Sequence, residues 1–334
     1  MPATSRFSAY LVTRNDKGVC HGEVRTDLDL DQLPPGELLI RVQYSSVNYK
    51  DALSATGHPG VTRAYPHIPG IDAAGTVAAS SSGLFAPGDP VLVTGYRLGM
   101  DHWGGLAQYV RVPAEWAVPM PAGMTALEAM RLGTAGFTAA LCLDAILRQE
   151  RRRDADPVLV TGATGGVAMV AIALLARLGI PAVALTRKGG AIRGRLRQLG
   201  AREVLDPQEL EPSDKPLLKE RWAAVVDTIG GPLLEHLLKA TCAGGTVAAC
   251  GMAAGNRFAS TVYPFILRGV ALAGIDSAET PSAKRVRIWN HLATDWKVDL
   301  EPISSEVALD GIDACVRELL AGTHVGRTVV RLEG

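Results

Sequence analysis

The residues whose types and spacing point most directly to chemistry are Val160-Thr161-Gly162-Ala163-Thr164-Gly165-Gly166-Val167-Ala168. They stand where an apolar strand, Val158–Thr161, gives way to a helix, Gly166–Leu178. Gly162 permits a tight turn, Gly165 and Gly166 let the backbone approach a pyrophosphate, and Ala168 is small enough for helix–strand packing. The helix N-terminus adds free N–H groups and a partial positive charge for the phosphates. The spacing is not G-x-G-x-x-G, and glycine turns also end strands that bind nothing, but the flanking β-α-β pattern favours a dinucleotide. The next strand, Ala182–Thr186, ends in Thr186-Arg187-Lys188. An NAD site carries Asp or Glu there for the ribose 2′-OH, whereas two cations and a hydroxyl suit a 2′-phosphate. The expected cofactor is NADPH; the alternative is that Arg187 and Lys188 are ordinary loop charges.

Other chemistries lack their residues. There is no Cys-x2-Cys and no His pair at i, i+3 or i+4, so no metal site is expected. No G-x-S-x-G elbow is present, which disfavours a serine hydrolase. Cys20, Cys142, Cys242, Cys250 and Cys315 form an odd, scattered set, which suggests reduced thiols in a cytoplasmic protein.

The elements that must carry the turn follow from texture. The 334 residues suggest about two domains. Apolar residues at 47% and charged residues at 20% exclude intrinsic disorder. With 34 basic and 34 acidic residues the chain lacks the basic excess of a nucleic-acid binder. The longest strongly apolar run, Val167–Ala176, is too short for a membrane span, and Met1–Arg6 has no apolar signal-like stretch, so neither a membrane nor a secreted location is expected.

Up to about residue 125 the chain reads as short strands (Phe7–Thr13, Leu38–Val47, Ala74–Ala79, Pro90–Thr94 and Leu106–Val112) punctuated by Gly and Pro, which implies a β module. Thr125-Ala126-Leu127-Glu128 fits a capping box, with Gly133 ending that helix and a second running from Phe137 to Leu147. The charged run Arg148–Asp154 reads as a solvated linker. Beyond it, strands at Val158–Thr161, Ala182–Thr186, Ala223–Asp227, Gly245–Cys250 and Val270–Ile275 alternate with helices at Gly166–Leu178, Ile192–Leu199 and Leu233–Ala240. That alternation implies a parallel sheet covered on both faces. The tail reads as helices near Ala283–Ala293 and Gly311–Leu320, then a strand, Thr328–Leu332, expected to return to the β module.

In this order the segments resemble the medium-chain dehydrogenase/reductase superfamily, and more narrowly its zinc-free, quinone-oxidoreductase-like branch. The matching stretches span nearly the whole chain: Ser45–Leu53, Ile68–Val77, His102–Ala107, Gly133–Ala139, Ala248–Gly251, Pro264–Val270 and Gly326–Thr328. Zinc-dependent members usually carry Gly-His-Glu where this chain has Gly70-Ile71-Asp72. The family turn normally reads Gly-Gly-Val-Gly, with Ala168 here at the last place, and the Arg187–Arg193 loop looks about one residue longer than usual.

The resemblance implies an α/β fold: a Rossmann doubly wound parallel sheet over 126–279 plus a GroES-like β-barrel catalytic domain split between 1–125 and 280–334. It implies that Thr164, Gly165, Gly166 and Val167 hold the pyrophosphate and that Thr186, Arg187 and Lys188 face the ribose phosphate. Cys250, Gly251, Met252, Phe265, Ile266 and Ser277 would line the path to the nicotinamide. Tyr49 and Arg327 would approach the cofactor, although a structural salt bridge fits Arg327 equally well.

The implied reaction is metal-free reduction of a C=C bond conjugated to a carbonyl, as in acrylyl-CoA or a similar small thioester. Asn48 would donate to the carbonyl, Tyr49 would position the nicotinamide or relay a proton, and Asp72 is either catalytic or a loop anchor. Asp51 is a further polar group of that region, and Arg63, Arg97 and Arg268 are among the cations for an acyl-CoA's phosphates. The alternatives are an NADPH:quinone oxidoreductase and a non-catalytic NADPH-binding protein. A homodimer paired near Val270–Ile275 is also implied.

Overall fold

A computed structural model describes residues 6–149, 156–210 and 213–332. Most of the Arg148–Asp154 run lies outside the described residues. In chain order come β1 (Arg6–Arg14), β2 (Cys20–Asp29), β3 (Leu38–Val47), α1 (Tyr49–Ala55), β4 (Asp72–Ser80), β5 (Pro90–Thr94), β6 (Tyr109–Val112), β7 (Ala117–Pro119) and α2 (Ala126–Leu147). Next are β8 (Val158–Thr161), α3 (Gly166–Arg177), β9 (Ala182–Leu185), α4 (Ala191–Gln198), β10 (Ala201–Leu205), β11 (Trp222–Asp227), α5 (Pro232–Ala240), β12 (Thr241–Ala249), α6 (Tyr263–Arg268) and β13 (Ala271–Gly274). The chain closes with α7 (Ser282–Ala293), β14 (Ser304–Val307), α8 (Ile312–Leu320) and β15 (Arg327–Arg331).

These form two compact units, one of Met1–Thr134, Ala278–Ala293 and Asp299–Gly334, the other of Ala135–Ser277 and Thr294–Val298. The division falls just after a break in α2. Gly133 has φ 52° and ψ −157° there, so α2 is two helical stretches and not one rod. The Thr125 box forms at its start, with Thr125 N donating to Glu128 Oε2 at 2.8 Å and Glu128 N to Thr125 Oγ1 at 3.2 Å. By length and hydropathy alone α2 could cross a bilayer, but 78% of its apolar window is buried within the protein.

In the first unit β1 pairs with β2, and a second sheet runs in the order β14-β15-β3-β4-β5-β7, with β6 also on β3. The tail strand does return: β15 lies antiparallel to β3, Thr328 opposite Val47. Phe7, Leu38, Ile40, Val110 and Val330 belong to the core beneath these strands. This is the GroES-like module.

In the second unit six strands run in the order β10-β9-β8-β11-β12-β13, all pairs parallel. Chain order along the sheet is thus 3-2-1-4-5-6, the Rossmann arrangement, and the reversal between β8 and β11 marks where such sheets bind ligands, at the carboxyl ends of the strands. Every residue of β8, β9 and β11 is buried, which is why these strands read as continuous apolar runs rather than alternating ones.

Candidate active site

The second unit builds a phosphate cradle at the carboxyl end of β8. Gly162, at φ 59°, occupies the left-handed region, and a Cβ there would come within 2.4 Å of Thr228 Oγ1, so only glycine makes this turn. Gly165 is the N-cap of α3, with extended backbone and no side chain bonded to the first turn. A Cβ at Gly165 would meet nothing nearer than Gly162 O at 3.4 Å, so the space over the helix start is open to a ligand. Thr164 is buried, while Gly165 is exposed and Gly166 and Val167 half-exposed. Helix-start amides, an open approach and no competing carboxylate cap fit a dinucleotide's pyrophosphate.

At the end of β9 the Thr186 hydroxyl accepts from Lys188 N at 3.1 Å, which folds the chain so that two cations follow the strand. Arg187 is exposed; Lys188 is half-buried, and burial lowers its ammonium pKa. Arg193 Nη1 donates to Val204 O at 3.2 Å, tying the start of α4 to β10. Cys250 and Gly251 follow β12, and the Cys250 thiol donates to Asp227 O at 3.4 Å. Met252 and Ile266 are exposed (71% and 70%), whereas Phe265 packs against the unit's apolar core. Ser277 is half-buried in the segment after β13. Arg268 is taken up by structure: its guanidinium donates to the carbonyls of Lys239, Thr241 and Leu218, so it is not an open cation for acyl-CoA phosphates.

Sequence reasoning passed over Asp227 and Thr228 and gave Thr161 no role beyond closing its strand. Asp227 is wholly buried at the end of β11. Its carboxylate accepts from Thr161 Oγ1 at 2.7 Å, Ile229 N at 3.2 Å and Gly230 N at 3.0 Å. The signal was available: an acid closing an apolar strand and followed by Gly230-Gly231 has to be satisfied by local N–H groups.

The first unit holds a buried polar cluster around Asp72. Asp72 accepts from Ser46 Oγ at 2.6 Å, Asn48 Nδ2 at 2.7 Å, Thr134 N at 3.0 Å and Thr134 Oγ1 at 2.6 Å. Arg327, 3% exposed, donates to Asn48 Oδ1 at 3.0 Å, Ser46 Oγ at 2.8 Å and Arg131 O at 3.1 Å. Its Nη2 lies 3.9 Å from Asp72 Oδ2. The guanidinium thus meets carbonyls near the end of the first stretch of α2, and the carboxylate meets an N–H at the start of the second, each charge complementing the local helix dipole. Of the two readings open for Arg327, this is the geometry of the structural ion pair.

Asn48 departs from expectation. Both sides of its amide are engaged, Nδ2 with Asp72 and Oδ1 with Arg327, so it links that pair instead of presenting a donor to a substrate carbonyl. Asp72 is fully buried and acts as an acceptor hub that anchors the chain, not as an accessible acid. Asp51 completes the cluster. It accepts from Asn48 N at 2.7 Å, Gly70 N at 3.0 Å and Ile71 N at 2.9 Å. Burial first, and the Asp72 charge second, push its pKa up to about 7 against those donors. Burial lowers the pKa of Arg327, opposed by the charges of Asp72 and Asp51. Of the three expected catalytic side chains only Tyr49, on the first turn of α1, is exposed, at 52%.

Comparison with known proteins reads this geometry. The Alcohol dehydrogenase GroES-like domain family matches residues 34–122, and the Zinc-binding dehydrogenase family matches residues 166–288. Acrylyl-CoA reductase AcuI of Ruegeria pomeroyi is 42% identical over 326 residues, covering 97% of this chain and 98% of its own. The chain belongs to the medium-chain dehydrogenase/reductase superfamily.

Two further members of the superfamily are similar over most of their length. The yhdH oxidoreductase of Salmonella enterica, solved in complex with NADP, has a TM-score of 0.93 and 41% identity, covering 98% of this chain and 100% of that one. Putative quinone oxidoreductase YhfP of Bacillus subtilis is 41% identical, covering 91% of this chain and 93% of its own. The Bacillus subtilis protein yhfP solved with NAD bound has a TM-score of 0.94 and 40% identity, covering 98% of this chain and 100% of that one. The zinc in the name of the second matched family does not fit this medium-chain dehydrogenase/reductase. Among the described residues no group of three or more His, Cys, Asp or Glu converges, and at Gly70-Ile71-Asp72 the one carboxylate is enclosed by Ser46, Asn48, Thr134 and Arg327.

Proposed function

We propose that this medium-chain dehydrogenase/reductase is an NADPH-dependent reductase of the C=C bond of acrylyl-CoA or a similar small α,β-unsaturated thioester. The observation that carries the reading is the near full-length likeness to an acrylyl-CoA reductase, 42% identical over 326 residues. The Arg187-Lys188 pair after β9 supports NADPH over NADH, since a 2′-phosphate needs cations where a free ribose hydroxyl would take a carboxylate.

When bound, NADPH supplies a hydride for the β carbon, the position from which the thioester carbonyl can accept the displaced electron pair. The protein's part is to hold and polarise. The Gly162–Val167 turn and the start of α3 take the pyrophosphate. Thr186, Arg187 and Lys188 take the ribose phosphate. Met252 and Ile266 offer exposed apolar surface for the path to the nicotinamide. The Tyr49 hydroxyl is the group proposed to position the nicotinamide or relay the α-carbon proton, with Asn48 and Asp72 holding the cluster beneath α1.

A second reading, NADPH:quinone oxidoreductase, is favoured by the relative named a putative quinone oxidoreductase, since a quinone is also a flat conjugated acceptor. Absorbance of NADPH followed with acrylyl-CoA, with a simple quinone and with no acceptor separates the readings. The proposal expects the highest kcat/KM with acrylyl-CoA. Turnover of the quinone alone would replace it, and tight NADPH binding without turnover of either acceptor would leave a binding protein.

A homodimer and a cytoplasmic location belong to the same proposal. The dimer is supported by β13 at the edge of the six-stranded sheet and by exposed Val262, Tyr263 and Leu267 on and beside α6. The location rests on the odd, scattered set of five cysteines.

A further inference from the structure

We infer that Asp227 is a positioning residue for the dinucleotide: it braces the phosphate turn from beneath, through Thr161 and Thr228, without touching the cofactor itself. The inference rests on the cofactor half of the proposed function and not on the identity of the alkene.

β11 is apolar from Trp222 to Val226 and ends in a carboxylate with no exposure to solvent. An ionised group in that setting persists only if its oxygens are satisfied, and here three donors converge on it. Two are the amides of Ile229 and Gly230, which close the loop after β11. The third is the Thr161 hydroxyl, the last residue of the neighbouring strand.

The brace extends the sheet. Backbone pairing between β8 and β11 runs up to Val160 opposite Val226, so Thr161 and Asp227 stand one step beyond the last rung. There the side chains take over. Thr161 Oγ1 donates to Asp227 and accepts from Thr228 N at 2.9 Å, while Thr228 Oγ1 donates to Thr161 O at 2.9 Å. These bonds join the two strands that flank the reversal of strand order, the place where a Rossmann sheet opens its crevice.

The turn rests directly on this joint. Gly162 follows Thr161, and a Cβ on it would sit 2.4 Å from Thr228 Oγ1. On the other flank Cys250 N donates to Asp227 O at 2.9 Å, and a Cβ on Gly251 would sit 2.0 Å from Thr228 O. The loops after β8 and β11 therefore take their heights from one carboxylate and two hydroxyls, and the loop after β12 is seated on the main-chain carbonyls of Asp227 and Thr228. A phosphate cradle made of backbone N–H groups works only when those groups are held at fixed positions, because misplacement by a fraction of an ångström costs each hydrogen bond much of its strength.

The test compares Asp227→Asn and Thr161→Val with the wild-type protein, by fluorescence titration with NADPH, thermal unfolding, and KM for the acceptor. Asp227→Asn keeps an acceptor for the Thr161 hydroxyl but sets an NH2 against the Gly230 amide. Thr161→Val keeps the shape and the carboxylate but removes the linking hydroxyl. The expected result is a dissociation constant for NADPH raised about 10-fold or more in each variant, with the acceptor KM within about 2-fold. Leu237→Ala, a core change in the same unit, supplies the comparison for lowered stability alone, and its NADPH affinity is expected to match wild type. Wild-type NADPH affinity in a folded Asp227→Asn or Thr161→Val protein overturns the inference, whatever the change in Tm. If Asp227→Asn does not fold, Thr161→Val decides. Wild-type protein that binds NADH and not NADPH overturns the cofactor reading instead, and the same titrations with NADH then decide the role of Asp227.

Discussion

Asp72 and Arg327 lie 3.9 Å apart inside the first unit, and the backbone of Gly133 is lodged against both. A Cβ on Gly133 would come within 2.5 Å of Asp72 Oδ2 and 2.6 Å of Arg327 Nη2, and its φ of 52° is one that side chains resist. Gly133→Ala is therefore expected to lower stability by at least about 2 kcal/mol, combining backbone strain with displacement of the ion pair. Urea denaturation measures it, and a change below about 0.5 kcal/mol would mean that the cluster yields freely.

Two arginines on β15 make opposite predictions. Arg327 is buried with its donors directed at Asn48, Ser46 and Arg131, so Arg327→Met is expected to cost about 3–5 kcal/mol by leaving Asp72 without its cation. Arg331 pairs with Glu306 at 3.3 Å but is 60% exposed, and Arg331→Met is expected to cost less than about 1 kcal/mol. Arg327→Lys should recover only part of the loss, since an ammonium cannot reproduce the guanidinium fork. The three unfolding curves are compared at one pH.

Asp51 predicts a pH dependence of stability. Its folded pKa of about 7 lies above the ordinary 3.8, so between those values the unfolded chain releases a proton that the folded one keeps. Stability from this group is highest below pH 4, falls as pH rises towards 7 by at most about 1.4 kcal/mol per pH unit, and then levels off. The opposing charges in reach are Asp72 on β4 and Arg327 on β15. Asp51→Asn should flatten the slope between pH 4 and 7 even if it lowers stability throughout. An unchanged slope would assign the proton to another group.

Cofactor choice is expected to depend on the two residues after Thr186. Arg187→Ala and Lys188→Ala should each weaken NADPH by about 10-fold or more and leave NADH within about 2-fold, because a cation-to-phosphate bond is lost only with the phosphorylated ribose. Parallel titrations with both nucleotides give the ratio. Equal losses for the two would make these charges general supports of the loop.

Tyr49 is the exposed member of the expected catalytic set. If its hydroxyl relays the α-carbon proton, Tyr49→Phe should lower kcat by about 100-fold with NADPH affinity kept. An unchanged kcat leaves the ring a positioning surface only.

Much of the fold could be read in advance because local chemistry enforced it. The Thr125–Glu128 box, the buried strands β8, β9 and β11, apolar but for the closing Thr161 and Asp227, and the glycines at the start of α3 each have one conformation that satisfies them. Four strands escaped notice: β7 and β14, of only three and four residues, and the longer β2 and β10. β2 (CHGEVRTDLD) is mostly exposed with no apolar face to mark it, and β10 (AREVL) is interrupted by Arg202 and Glu203. Both are held by partners, β1 and β9, that sequence periodicity does not see.

The amino-acid sequence by itself determined the family, the nucleotide turn and the charges after β9, because those depend on short runs of residues acting together. Only the tertiary structure decided what the buried polar groups do. Asn48, Asp72 and Arg327 are far apart along the chain, and nothing in their spacing shows that they satisfy one another. Asp227 and Thr161 likewise meet only because parallel pairing sets β8 beside β11. A buried polar atom takes its role from whichever partner folding delivers, and that partner is fixed by three-dimensional packing and not by sequence neighbours.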